Sequence, residues 1–157
     1  MTKSLLEIIV HSIGAFIGTL GYGFILHAPV HTVLPASLTG LLGYVIYELL
    51  FNVAGCGALF SYFAATVVIS VLCEVEARVM RMPSTIFLLT ALVPLVPGYT
   101  FYCMMLAMVE NHGAAAASYG MEAVQIVAAI AVGAAVTSVL FRTLASHKAA
   151  KRAAKTE

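Results

Sequence analysis

From about Thr85 to Val109 the chain is apolar for long enough to cross a membrane, yet Pro94, Pro97 and Gly98 stand in the middle of that run. Each proline lacks an N–H, so the carbonyls four residues earlier, on Thr90 and Val93, lose their helical partners. The spacing predicts a broken helix. At about 1.5 Å per residue the run crosses a hydrocarbon core of roughly 30 Å once, with Pro97 and Gly98 near its midplane. Freed backbone groups are tolerated at that depth only where protein or water satisfies them, so the stretch is expected to line a cavity. Gly98 lets the chain leave helical geometry and restart at Tyr99 and Thr100, setting a half-helix C-terminus against a half-helix N-terminus. The first attracts a cation or a polar donor, the second an anionic group such as a substrate carboxylate. The blander alternative is a proline kink in a packed span, because proline is commoner in membrane helices than in soluble ones.

Composition places this break in its setting. With 157 residues, 62% hydrophobic and 10% charged, the chain falls far from the roughly 25% charge of soluble domains. It reads as an all-α integral membrane protein: one helical domain over 1–145 and a basic tail over 146–157. Cys56, Cys73 and Cys103 are scattered through apolar runs and read as small hydrophobes, not as metal ligands. The chain contains no Asp, no clustered His, Cys and Glu set and no positioned Ser–His pair. Neither an enzyme nor a metal or cofactor site is expected. No phosphate-binding glycine loop is present, and a net charge of +1 gives no reason to expect nucleic acid.

About five spans are expected, over 5–26, 35–51, 53–72, 85–109 and 121–144. In the first, Glu7, His11, Gly14, Gly18 and Gly21 recur at three- and four-residue spacing and share one face. Gly14 and Gly18 form the small-residue pattern that lets helices approach closely, and packing is the expected use of this face. His11 and Glu7 either reach the bundle interior as a proton relay or sit at headgroup level. From Leu34 to Cys73 the sequence is apolar for about forty residues, a helix of about 60 Å and twice what a bilayer needs. A tight turn around Asn52 is therefore expected to divide it. Glu48, near the end of span two, either snorkels to the surface, is protonated, or faces a water-filled cavity, and it is a candidate for proton or ion coupling together with His11. Gly57, Ser61 and Ala65 make a second packing stripe. Glu74 and Arg78 are placed for an ion pair on a short helical extension, and Ala114 to Gly120 for a flexible connection.

Charge orients the spans. Five crossings leave Lys3 alone on one side and put Arg78, Arg81, Arg142, Lys148, Lys151, Arg152 and Lys155 on the other, one against seven. The N-terminus is then outside and the C-terminus cytoplasmic, with the basic tail near anionic lipid.

The order Arg78-x-x-Arg81-Met82-Pro83-Ser84-x-x-Phe87, then Val93-Pro94-Leu95-Val96-Pro97-Gly98 and a half-helix rich in Tyr and Met, resembles the threonine/serine exporter (ThrE) superfamily. It is similar in particular to the small, YjjB-like half that occurs as a separate subunit. Gly23-Phe24 and Ala28-Pro29-Val30 fit the beginning of that half. The resemblance implies a transporter subunit in the cytoplasmic membrane of a bacterium, working with a larger ThrE-like membrane subunit of opposite orientation. It implies export of threonine and serine, or of a dicarboxylate such as succinate. On this reading Pro94, Pro97 and Gly98 hold the break, Thr90, Tyr99 and Tyr102 supply hydroxyls along the substrate pathway, and Glu48 or His11 is the protonatable partner. A non-transporting accessory subunit is the alternative. Its contacts would be the glycine faces, which pair with a like face in a homo-oligomer as readily as with another helix.

Overall fold

The computed structural model describes residues 5–153, with side chains over 7–143. Lys3, Lys155 and the side chains of Lys148, Lys151 and Arg152 therefore lie outside the description. The described residues form α1 (Leu5–Ile25), α2 (Val30–Glu48), α3 (Ala58–Met80), α4 (Ser84–Ala91), α5 (Gly98–Val109) and α6 (Gly113–Ala153). A π-helical turn at Leu49–Val53 extends α2, and a 3₁₀ turn at Val93–Leu95 follows α4. Four helical stretches, Glu7–Ile25, Val30–Val53, Ala58–Met80 and Gly113–Thr143, are long and apolar enough to cross a membrane. Ser84–Leu95 and Gly98–Val109 qualify together as a pair bent by 53°.

Several boundaries differ from the expected ones, each for a local reason. The second span starts at Val30, five residues before Pro35. Pro29 caps it: the Thr32 amide and hydroxyl both donate to the Pro29 carbonyl, each at 2.7 Å. Pro35 lies inside the helix, in its second turn, and withholds an N–H from the His31 carbonyl. Asn52 makes no turn; it lies in the π-helical extension, and the chain reverses at Ala54–Gly57, where Gly55 takes φ +65°. A side chain would be strained there, so glycine marks the true corner. Span three does not stop at Leu72. It runs to Met80 with Glu74, Glu76 and Arg78 on it and ends on Arg81 at φ 53°. The expected Glu74–Arg78 pair is present at 3.4 Å. Ala114 to Gly120 is the first two turns of α6 and no loop, as the helix preference of four consecutive alanines allows. The last helix also continues beyond Leu144 into the basic segment.

Short connections fold α2 back along α1 and α3 back along α2. Gly43 of α2 sits against Ile69 of α3, with the Tyr47 and Tyr62 rings packed at a tilt, 4.4 Å apart, farther along. The buried centre comprises Ala36, Ala65, Ile69, Cys73, Phe87, Ala91 and Leu95. Most of these side chains are small, which suits a bilayer, where helices gain little by hiding apolar surface and associate through close van der Waals packing. Large apolar side chains such as Ile13, Ile17, Val124 and Val139 lie on the outside, where lipid tails are an adequate solvent.

The helix α6 runs in the same direction as α3. Its Gly133 packs on Phe63 and Thr66, and Phe141, two turns on, lies under the Arg78 guanidinium at 4.5 Å. The bent pair α4 and α5 therefore carries the chain back from the Met80 end of α3 to the end where α3 began.

Candidate functional site

The break between α4 and α5 is built by the two prolines and resolved by the backbone itself. After Leu92 the helix tightens: the Leu95 amide donates to Leu92 at 2.9 Å and the Val96 amide to Val93 at 3.2 Å. The Val93 carbonyl, deprived of residue 97 as donor, thus finds a partner one residue earlier. Pro97, at φ −76° and ψ 55°, then forms an inverse γ-turn in which the Gly98 amide donates to Val96 at 2.7 Å. The Phe101 amide donates back to Pro97 at 3.1 Å and starts α5. Tyr99 and Thr100 sit in the first turn of α5, where amides lack intrahelical acceptors.

A cavity of about 620 Å³ opens over this break, between the end of α1 and the middle of α6. Val93, Val96, Pro97 and Gly98 form one wall, Tyr22 and Phe101 its two aromatic sides, and Val127 and Ile130 the other wall. Tyr22 brings the single side-chain hydroxyl among the lining residues. The arrangement offers backbone dipoles and one hydroxyl within apolar walls, which can orient a small polar solute but not neutralise a charge.

The residues singled out from the sequence separate into several places. Pro97 and Gly98 are in the cavity wall; Pro94 is half-buried behind it. Thr90 is buried, its hydroxyl donating to the Ile86 carbonyl at 3.0 Å, and it borders a smaller cleft with His27 and Pro29. Tyr99 and Tyr102 are 80% and 62% exposed and stand on the outside of α5. The structure does not gather these hydroxyls around the break; the inward hydroxyl of the first turn of α5 is that of Thr100.

Glu48 is 1% exposed, away from this cavity at the π-helical end of α2. The Tyr44 hydroxyl donates to its Oε1 at 2.8 Å and the Asn52 amide to its Oε2. It therefore does not snorkel: residues four before and four after it on the same helical face supply the donors a buried carboxylate requires. Tyr47 stacks on Phe51 beside it, 5.8 Å between rings. Replacing Glu48 with Ala leaves the Tyr44 and Asn52 donors unpaired and is expected to cost about 1–3 kcal/mol of stability, read as a lower unfolding temperature in detergent, with Glu48→Gln milder because it keeps acceptor capacity.

His11 is exposed, with Nδ1 2.6 Å from the Glu7 carbonyl. The packing glycines show the largest difference. Gly14, Gly18 and Gly21 have no neighbour within 4 Å of where a Cβ would stand, and neither does Gly57. Within the chain α1 packs instead through Ile8, Ser12, Thr19 and Gly23. The stripe at Ser61 and Ala65 is buried as expected, whereas Gly57 lies at its exposed start. Periodicity identified the shared face of α1 but carried no information on which face meets a neighbour. Two residues that sequence reasoning passed over, Tyr22 in the cavity and Glu76 against Thr39, depend on contacts between distant segments with no spacing signal.

No group of three His, Cys, Asp or Glu side chains placed to hold a metal occurs among the described residues. No curated protein and no solved structure matches the chain. A protein-family model described as "Threonine/Serine exporter, ThrE" matches residues 11–140, which takes in the broken helix and nearly all of the helices that frame its cavity. With apolar helices of this number and a match of this extent, the chain is a multi-pass membrane protein of transporter type and belongs to the threonine/serine exporter family.

Proposed function

We propose that the chain is one half of a secondary transporter that exports small carboxylate-bearing metabolites, threonine and serine or a dicarboxylate such as succinate, together with a larger ThrE-like subunit. The observation that carries this reading is the broken α4–α5 helix in the wall of an open cavity. Discontinuous helices at mid-depth, with backbone dipoles aimed at a solute, are how many secondary transporters bind small ions and zwitterions. The first turn of α5 supplies amide donors for a carboxylate. The cavity wall holds too little polarity to bind a charged solute alone, which suits a site completed by a second subunit. The unpartnered glycine face of α1 suits the same arrangement, because close-approach faces serve helix pairing.

Orientation follows from charge. With the bent pair counted as one crossing, Arg78, Arg81 and the basic end of α6 share a side, and the positive-inside rule makes that side cytoplasmic and the N-terminus external. A partner of opposite orientation would complete an inverted pair.

The same apolar wall favours a second reading, in which the chain does not transport but stabilises its partner. Counterflow of labelled serine, threonine and succinate in liposomes distinguishes the two. We expect flux only when both chains are present, and flux from the partner alone would replace the half-transporter with an accessory subunit.

A further inference from the structure

Outside the cavity, the carboxyl of the half-buried Glu76 is only half satisfied. Glu76 lies on α3, one turn before its end at Met80, and the buried Thr39 of α2 donates its hydroxyl to Glu76 Oε1 at 2.5 Å. The other oxygen, Oε2, is shut off from solvent and has no hydrogen-bond partner. Glu48 forms the contrast, with a donor on each oxygen.

Charges around Glu76 do not relieve it. On α3 itself, Arg78 is engaged by Glu74 at 3.4 Å and by the Phe141 ring at 4.5 Å, and Cys73 is a buried thiol one turn earlier. Across the interface α2 carries no Lys or Arg, and its titratable groups are His31, exposed at the start, Tyr44, Tyr47 and Glu48 toward the far end. The segment Ser84–Ala91 of α4 has no titratable side chain. From α6 the described charge at this end is Arg142, which is exposed, and Arg81 beyond the end of α3 is exposed as well. An ionised carboxylate that keeps one shielded oxygen without a donor or a cation is a costly arrangement.

A proton resolves the geometry. Placed on Oε1, it donates to Thr39 Oγ1 across the same 2.5 Å, a separation at the short limit for O–H···O. Oε2 then becomes a neutral carbonyl oxygen, for which lack of a partner costs far less. Two carboxyl oxygens and one hydroxyl are too few for a hard metal cation, which takes six or more oxygens. We propose that Glu76 is a proton-binding residue of the transport cycle, holding a proton against Thr39 at the α2–α3 interface and exchanging it through the Met80 end of α3. The role in transport rests on the exporter reading above; the proton site itself does not.

Two measurements keep those separate. Infrared spectroscopy of the full chain in lipid should show a protonated-carboxyl C=O band at neutral pH that disappears in Glu76→Gln and shifts in Thr39→Val, which removes its hydrogen-bond partner. A wild-type spectrum without the band, or one that Glu76→Gln leaves unchanged, overturns the site. In liposomes holding the chain with its larger partner, substrate counterflow tests the exporter reading, whose failure is visible in the wild type alone. If counterflow is present, the protons moved per substrate in net flux, followed with a pH-sensitive dye, should be lost in Glu76→Gln. Unchanged coupling overturns the role. Should Glu76→Gln stop all flux, Glu76→Asp decides: restored flux with a displaced pH profile supports proton binding, and failure to restore it overturns the proposal.

Discussion

A Pro97→Ala, Gly98→Ala double variant is expected to lose substrate flux while reaching the membrane in normal amount. Residue 97 regains an N–H for the Val93 carbonyl, which in the present structure is taken by Val96 at 3.2 Å. Relative to alanine, proline disfavours a helix interior by about 3 kcal/mol and glycine by about 1 kcal/mol, so the double change favours a continuous helix by roughly a thousandfold. Pro94 remains and leaves a kink, but the γ-turn at Pro97 and the second helix start at Gly98 disappear. The first-turn amides of α5 then become ordinary mid-helix amides bonded to carbonyls four residues back. With them go the amide donors proposed for the transported carboxylate. Flux should fall by about two orders of magnitude if those amides bind the transported carboxylate, by analogy with the loss of a preorganised backbone donor site. Counterflow at equal protein abundance is the measurement, with the distance between spin labels on α4 and α5 reporting whether the 53° bend has straightened. Full flux through a straightened helix would sink the proposed mechanism.

The second large effect concerns stability. A Cβ on Gly43 would stand 2.2 Å from Ile69 Cδ1 and 2.3 Å from its Cγ1, and Ile69 is fully buried. Ile69 shares its buried cluster with Ala65, Cys73 and Ala36, so turning it away from the new Cβ disturbs that packing. Gly43→Ala is therefore expected to push α2 and α3 apart at a cost of about 1–3 kcal/mol, and Gly43→Val at the upper end of that range or beyond. Thermal unfolding in detergent reads the loss. Ile69→Ala alone should also destabilise by leaving a cavity. Combined with Gly43→Ala it should recover part of the loss, since each change removes the reason for the other, with a coupling of roughly 0.5–3 kcal/mol. Strict additivity of the two would show that Gly43 and Ile69 do not meet as described. The separation of the α2–α3 faces also governs Glu76, because Thr39 reaches it across the same interface, one turn from Gly43 along α2.

These two positions show where sequence and structure divide the information. The break at Pro94–Gly98 was legible because its cause is covalent: a missing N–H and a missing Cβ act on the chain's own next turn, whatever surrounds it. Apolar runs likewise disclosed a helical membrane protein, since a backbone in lipid must satisfy its hydrogen bonds within the segment. The Glu74–Arg78 pair followed from spacing on one helix. Boundaries were less legible. Pro35 looked like a helix start but sits within one, and Asn52 looked like a corner but is held inside a π-helical turn where its amide reaches Glu48. In each case local propensity was weaker than the neighbouring packing or hydrogen bond.

What tertiary structure alone decided is which faces meet. Gly14, Gly18 and Gly21 share a face by periodicity, yet the fold turns that face outward and packs α1 through Thr19 and Gly23. Tyr99 and Tyr102 follow the break in sequence but point away from its cavity, while Tyr22, more than seventy residues earlier, points in. Glu76 finds Thr39 across a gap of 37 residues. The physical reason is common to all three. Helical period fixes the angle between side chains on one helix, but rotation of a whole helix about its axis costs nothing locally and is set by close contact with other segments. The sequence therefore determined that a broken helix lies in a membrane bundle, and only the packing determined what that break faces.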